Sequence, residues 1–191
     1  MTSVTSIGAY RHSSTFPIGS SLTYAIGQMR SNLGMQITRA TDYAVRVVVQ
    51  LATLPKGVKA QLASLEAATG VSGSFLSKIL QRLVRAGIVD SHRGTGGGFC
   101  LRPHGEKTTL LQVIEAMEGP TRLNQCLIAG LSCDRKPWCG VHLVWQQAQA
   151  ALTGVLDSVT VAEMAKQTLA NLAQQSDRQA SRIALDRLGK P

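Results

Sequence analysis

Apolar residues recur at helical spacing in several stretches of this chain, and one interval between them alternates like a hairpin instead. In TDYAVRVVVQLATLP, from Thr41, the residues Ala44, Val45, Val48, Leu51 and Ala52 share one helical face, and Pro55 with Gly57 ends the run. A second helix is predicted over about residues 60–69, closed by Gly70. Ser72 or Ser74 caps a third, SFLSKILQRLVRAG, with Phe75, Leu76, Ile79, Leu80 and Leu83 turned to the core and Lys78, Gln81, Arg82 and Arg85 left outside. It stops at Gly87. The short apolar segments IVDSH and GFCL then flank RGTGG, as in a two-stranded hairpin, and the glycines between them allow the backbone turns and close approaches that a Cβ would resist.

Helix, helix, helix and hairpin in this order predict a winged helix-turn-helix, so the expected fold class is mainly α with a small β wing. Beyond the hairpin, Thr108 or Thr109 opens a helix running to about Met117, where Gly119 and Pro120 stop it. A loop containing Pro137 follows. A long helix over about Gly140 to Leu156 then carries Val141, Val144, Ala148, Ala151, Leu152 and Val155 at helical spacing. That stripe is read as a C-terminal dimerisation seam, the alternative being packing on the chain's own wing domain. A last helix is expected near residues 160–173.

These elements divide the chain into residues 35–107, the winged helix-turn-helix, residues 108–165, a cysteine-bearing loop with the long helix, and residues 166–191, a polar tail. Residues 1–34 are rich in Ser, Thr and Gly, hold no acidic residue and show no periodicity, and they read as a disordered leader or as the product of a start assigned too early, since Met35 directly precedes the folded pattern. No stretch reaches the roughly 18 uninterrupted apolar residues that span a bilayer. A cytoplasmic protein is expected.

The formal charge of +9 is unevenly placed. Residues 35–107 carry ten Lys/Arg against four Asp/Glu, net +6, whereas residues 108–165 carry three against five, net −2. A basic helix-turn-helix half suits phosphate neutralisation on double-stranded DNA. In such a fold the third helix enters the major groove, which makes Ser74, Ser77, Lys78, Gln81 and Arg82 candidates for base and phosphate contacts. Arg93, at the wing's entrance, can reach a minor groove or phosphates, and Gly96 and Gly97 let the tip backbone lie against DNA.

The candidate chemistry is concentrated in CLIAGLSCDRKPWCGVH, where six residues separate Cys126 from Cys133 and five separate Cys133 from Cys139. Cytosolic reductants oppose a disulfide scaffold there. Zinc knuckles use tighter pairs, so the wide gaps favour an iron–sulfur cluster, whose irons take separate thiolates. A fourth position remains to be filled. His142, three residues past Cys139, shares its helical face, and Asp42 in the first helix is the other candidate if a partner subunit supplies it. A Cys₃His zinc site and metal-free redox sensing are the alternatives. Cys100, in the wing strand, reads as a small packed residue.

Taken together, MQITRATDYAVRVVVQLA, SFLSKILQRLVRAGIVDSHRGTGGGFCL and the three spaced cysteines resemble the bacterial winged-helix regulators typified by IscR, NsrR and RirA, over about residues 35–165. The resemblance implies a homodimer on a palindromic operator, with a 2Fe–2S or 4Fe–4S cluster on Cys126, Cys133 and Cys139 whose loss, oxidation or nitrosylation changes DNA affinity. It implies His142 as fourth ligand if the chain follows the IscR-like branch and Asp42 of the partner if it follows the NsrR-like branch. Ser74 and Arg93 match DNA-contacting positions of the IscR-like branch. Ser77 stands where that branch uses a glutamate, so operator preference does not transfer, and the first cysteine gap is one residue longer than in IscR, a departure from the IscR-like branch.

The function expected is a DNA-binding transcriptional regulator that senses nitric oxide, iron or redox state through the cluster. A cluster-free thiol switch or zinc-stabilised regulator is the alternative, and a small electron-transfer protein the reading from another class. An enzyme is not expected, because no nucleophile with a neighbouring base, no carboxylate pair in a loop and no phosphate-binding loop before a helix is present.

Overall fold

The computed structural model of the protein describes residues 37–128 and 133–188. The segment read as a leader, residues 1–34, lies outside the described residues, as does the middle of the cysteine loop, residues 129–132.

Six α-helices and one two-stranded antiparallel sheet form the described chain. Helix α1, Arg39–Ala52, begins two residues earlier than its apolar pattern indicates, because the Thr38 side chain caps it by accepting from the Thr41 amide at 3.3 Å. Its buried face is Thr41, Ala44, Val47, Val48 and Leu51. Val45 and Ala52, expected there, are half-buried at the edge of that face. Helix α2, Leu62–Thr69, ends at Gly70, whose φ of 70° is the left-handed conformation of a helix C-terminus. Ala60, expected within this helix, instead exchanges backbone hydrogen bonds with Phe99 at 2.8 Å in each direction and so attaches the wing to the helices.

Helix α3, Gly73–Arg85, buries Leu76, Ile79, Leu80 and Leu83. Ser72 holds the cap position but makes no side-chain capping bond. Phe75 is the exception to the expected core face: it is 36% exposed, its ring standing edge-on to Tyr43 at 6.1 Å between centroids. It stands at the edge of the apolar face, about 100° around the helix from the fully buried Leu76 beside it. Strands β1, Val89–His92, and β2, Gly98–Leu101, pair with Val89 opposite Leu101 and His92 opposite Gly98.

Helix α4, Leu110–Glu118, is opened by a capping box in which Thr109 and Gln112 satisfy each other's backbone amides. It contributes Val113, Ile114 and Met117 to the interior. Helix α5, Gly140–Asp157, packs on α4 and on the short 3₁₀ turn Gln125–Leu127, but its one buried residue is His142. Val141, Leu143, Val144 and Val155 are exposed on the isolated chain, whereas Ala148 and Leu152 of the predicted stripe are half-buried. Helix α6, Val161–Leu188, returns to α1 through Val161, Met164 and Ala165. It is much longer than the 160–173 expected: the segment read as a polar tail continues the helix to Leu188, since Gln, Arg, Ala and Leu are all favourable helix formers.

Candidate nucleic-acid interface and cysteine segment

The burial of one face of α3 decides what its other face presents. With Leu76, Ile79, Leu80 and Leu83 inside, Ser74, Lys78, Gln81, Arg82 and Arg85 are exposed and Ser77 is half-buried. Among the described residues, no acidic side chain lies within ion-pair distance of Lys78, Arg82, Arg85 or Arg93. Cations without a close acidic partner are available to phosphates, although Arg82 also acts on Glu118 at longer range and Arg85 donates to the Gln81 carbonyl at 3.2 Å. By contrast, Arg102 at the end of the wing is held by Asp90 at 3.1 Å, and Lys56 stands 3.7 Å from Glu106.

The wing's tip depends on two glycines. A Cβ on Gly97 would collide with the carbonyl oxygens of His92 and Gly94, and Gly98, at φ 152°, would place one 2.5 Å from the Ala60 carbonyl oxygen. Arg93 and Gly96 are exposed and Gly97 is half-buried in this turn. The basic face of α3 and the wing are neighbours, since α3 packs on β1. Cys100 is half-buried, with its Sγ 3.5 Å from His92 Nε2.

The cysteine segment is built on the start of α5. Cys126 sits in the 3₁₀ turn Gln125–Leu127, Cys139 occupies the N-cap of α5, and the His142 amide donates to the Cys139 carbonyl at 3.1 Å. Between them the turn Lys136–Trp138 leaves Trp138 72% exposed. All four thiols are free and half-buried. Among the described residues, no three Cys, His, Asp or Glu side chains converge as metal ligands would, so Cys126, Cys133, Cys139 and His142 are neighbours along one segment without meeting at one centre. Asp42 is on α1, paired with Arg46 at 2.8 Å.

His142 is the anomalous residue of the segment. It is only 7% exposed, and neither ring nitrogen has a hydrogen-bond partner. An imidazole buried in this way carries the full desolvation cost of its unpaired nitrogens, about 1–3 kcal/mol, unless something else binds it. Three thiols and one unpartnered imidazole form a donor set suited to iron.

Three carboxamide and carboxylate side chains that the pattern of the sequence does not single out organise the approach to this segment. Glu118, the last residue of α4, accepts from the Thr38 hydroxyl at 2.6 Å and from the Thr41 hydroxyl, tying α4 to the start of α1. Partial burial acts to raise the Glu118 pKa, but these hydrogen bonds outweigh it and hold the carboxyl below its ordinary value. Glu115 accepts from the Thr121 amide at 3.0 Å, and Gln149 on α5 grips the Thr121–Leu123 backbone. Their only sequence signal is position: Gln149 lies two helical turns beyond His142.

Comparison with known proteins agrees with this architecture. The protein "aau3" of Rhizobium meliloti is 34% identical over 134 residues, covering 69% of this chain and 86% of that protein. The HTH-type transcriptional regulator IscR of Escherichia coli is 29% identical over 130 residues, covering 68% and 80%. The solved structure of CymR, the global cysteine regulator of B. subtilis, shares the fold with a TM-score of 0.57 at 24% identity, over 70% of this chain and 98% of that one. Among the described residues no helix is long and apolar enough to cross a membrane. The sequence pattern of the Rrf2 family, described as iron-dependent transcriptional regulators, matches residues 37–167, and the chain belongs to that family of DNA-binding regulators, which are not enzymes.

Proposed function

We propose that this regulator binds a palindromic operator as a homodimer and senses nitric oxide, iron supply or redox state through an iron–sulfur cluster on Cys126, Cys133 and Cys139. The observation that carries the reading is His142, buried at the first turn of α5 with both ring nitrogens unpartnered, three residues past a cysteine. It favours His142 as the fourth ligand over Asp42, whose carboxylate is already engaged by Arg46.

In this mechanism the chain's own residues do the following. The three thiols must lose their protons to bind, so loading is favoured as pH rises. Cys139 and His142, fixed on one helical turn, present one thiolate and one imidazole from α5, while Cys126 and Cys133 approach from the loop before it. When bound, the cluster supplies redox-active iron and acid-labile sulfide, the chemistry that oxidants and nitric oxide attack. On the DNA side, Ser74, Ser77, Lys78, Gln81 and Arg82 of α3 meet the major groove, and Arg93, Gly96 and Gly97 carry the wing against the backbone. The exposed apolar stripe of α5 supplies the dimer seam.

Native mass spectrometry of protein purified without oxygen tests the proposal. A dimer with two iron and two sulfide, or four and four, per subunit supports it. Zinc or no added mass after attempted reconstitution would transfer the assignment to the second reading, a thiol switch or zinc-stabilised regulator. That reading is favoured by the half-buried, free thiols that do not meet at one centre among the described residues.

A further inference from the structure

Between α4 and Cys126 the chain passes through Gly119–Asn124, a crossing without regular structure of its own that leads into the turn Gln125–Leu127. Both ends of this crossing are tied by side chains. At the α4 end, Glu115 Oε1 accepts from the Thr121 amide at 3.0 Å. At the α5 end, one carboxamide makes two further bonds: Gln149 Oε1 accepts from the Leu123 amide at 2.8 Å, and Gln149 Nε2 donates at 3.0 Å to the Thr121 carbonyl, which also accepts from Arg122 Nη1 at 2.7 Å. A primary amide bonded to a backbone donor and a backbone acceptor two residues apart reproduces the pairing of a neighbouring β-strand. It fixes the crossing in one register on α5.

Three residues beyond Leu123 is Cys126, in a turn that also packs on α5. Gln149 and His142 are seven residues apart on that helix, which places them on one face two turns from each other. We infer that Gln149 is a positioning residue for the cysteine segment: its amide registers the Thr121–Leu123 backbone on α5 and so sets where Cys126 stands relative to Cys139 and His142. The consequence for sensing rests on the cluster reading above, but the positioning itself does not. Gln149 touches no sulfur; it acts through the backbone.

The test uses reduced, metal-free, full-length protein, with alkylation of each cysteine by iodoacetamide followed over time by peptide mass spectrometry. Losing a pair of backbone hydrogen bonds frees the segment to open locally, so Gln149→Ala should raise the alkylation rate of Cys126 by roughly three- to tenfold. Cys100 in the wing should be unaffected. Gln149→Glu keeps the acceptor for Leu123 but replaces the donor to Thr121, and should give an intermediate rate. In protein loaded with a cluster, the same order, Ala fastest and wild type slowest, should appear in the rate of bleaching of the visible absorption under air. An unchanged Cys126 rate in Gln149→Ala, or an equal rise at all four cysteines, would overturn the inference. Absence of any cluster in the wild type would remove the cluster reading while leaving the alkylation result to decide the role of Gln149.

Discussion

Single residues carry the sharpest consequences. Arg93 has no acidic partner among the described residues and stands exposed at the wing's entrance, so Arg93→Ala should weaken operator binding and reduce the slope of log affinity against log salt by about one, as measured by fluorescence anisotropy across a salt series. Cys133→Ala should abolish cluster loading with the winged helix intact, read as loss of visible absorption alongside an unchanged far-ultraviolet circular dichroism spectrum; full loading in that variant would remove Cys133 from the ligand set. Glu118 gives a pH dependence with a definite sign. Its folded pKa lies below the ordinary 4.5, so its contribution to stability is fully present above about that pH and is lost as the pH falls through the lower folded value. Glu118→Gln should therefore flatten the acid limb of the stability profile, checked by urea denaturation between neutral and acidic pH. An acid limb identical to wild type would show that the Thr38 and Thr41 bonds are not what acid breaks.

At the scale of elements, α3 and the wing illustrate what local pattern conveys. The apolar spacing of Leu76, Ile79, Leu80 and Leu83 locates the recognition helix because an amphipathic helix can bury one face only, and the charges on the other follow. Phe75 shares that spacing but stands at the margin of the face, so its ring is left partly exposed while Leu76 on the same turn is fully buried. The wing is legible from its glycines for a similar reason: a Cβ at Gly97 meets backbone oxygens that cannot move without opening the hairpin. Gly97→Ala should lower DNA affinity more than it lowers the melting temperature, because the core of α1, α3 and α4 does not include the tip; equal losses would mean that the wing and the core unfold together. Helix α6 was the element the pattern understated. Past Ala165 its apolar side chains Leu169 and Leu172 are about half exposed, and its length follows from residue propensity instead.

For the whole molecule, the exposed apolar side chains of α5 are the feature a single chain leaves open. Val141, Val144 and Val155 are each more than half exposed, and Leu143 joins them on the same helix. Such a surface in a regulator of this family is the seam proposed for the homodimer. Introducing charge at its centre, with Val144→Glu, should shift the protein to monomer in light scattering and reduce affinity for a palindrome far more than for a half-site. A variant that remains dimeric would place the seam elsewhere.

Much of this was determined by sequence alone. Helical spacing and glycine placement dictated the winged helix-turn-helix, since burial of a periodic apolar face and the sterics of a tight hairpin are local constraints. The cysteines and His142 were visible as a donor set because their residue types are rare and closely spaced. Tertiary structure decided what depends on contacts between distant segments: the Ala60–Phe99 bridge that attaches the wing, the Glu118 bonds to Thr38 and Thr41, the burial of His142 without a partner, and the grip of Gln149 on the crossing before Cys126. None of these leaves a periodic trace, because a single polar side chain acquires its role from whichever backbone the fold brings within hydrogen-bond reach.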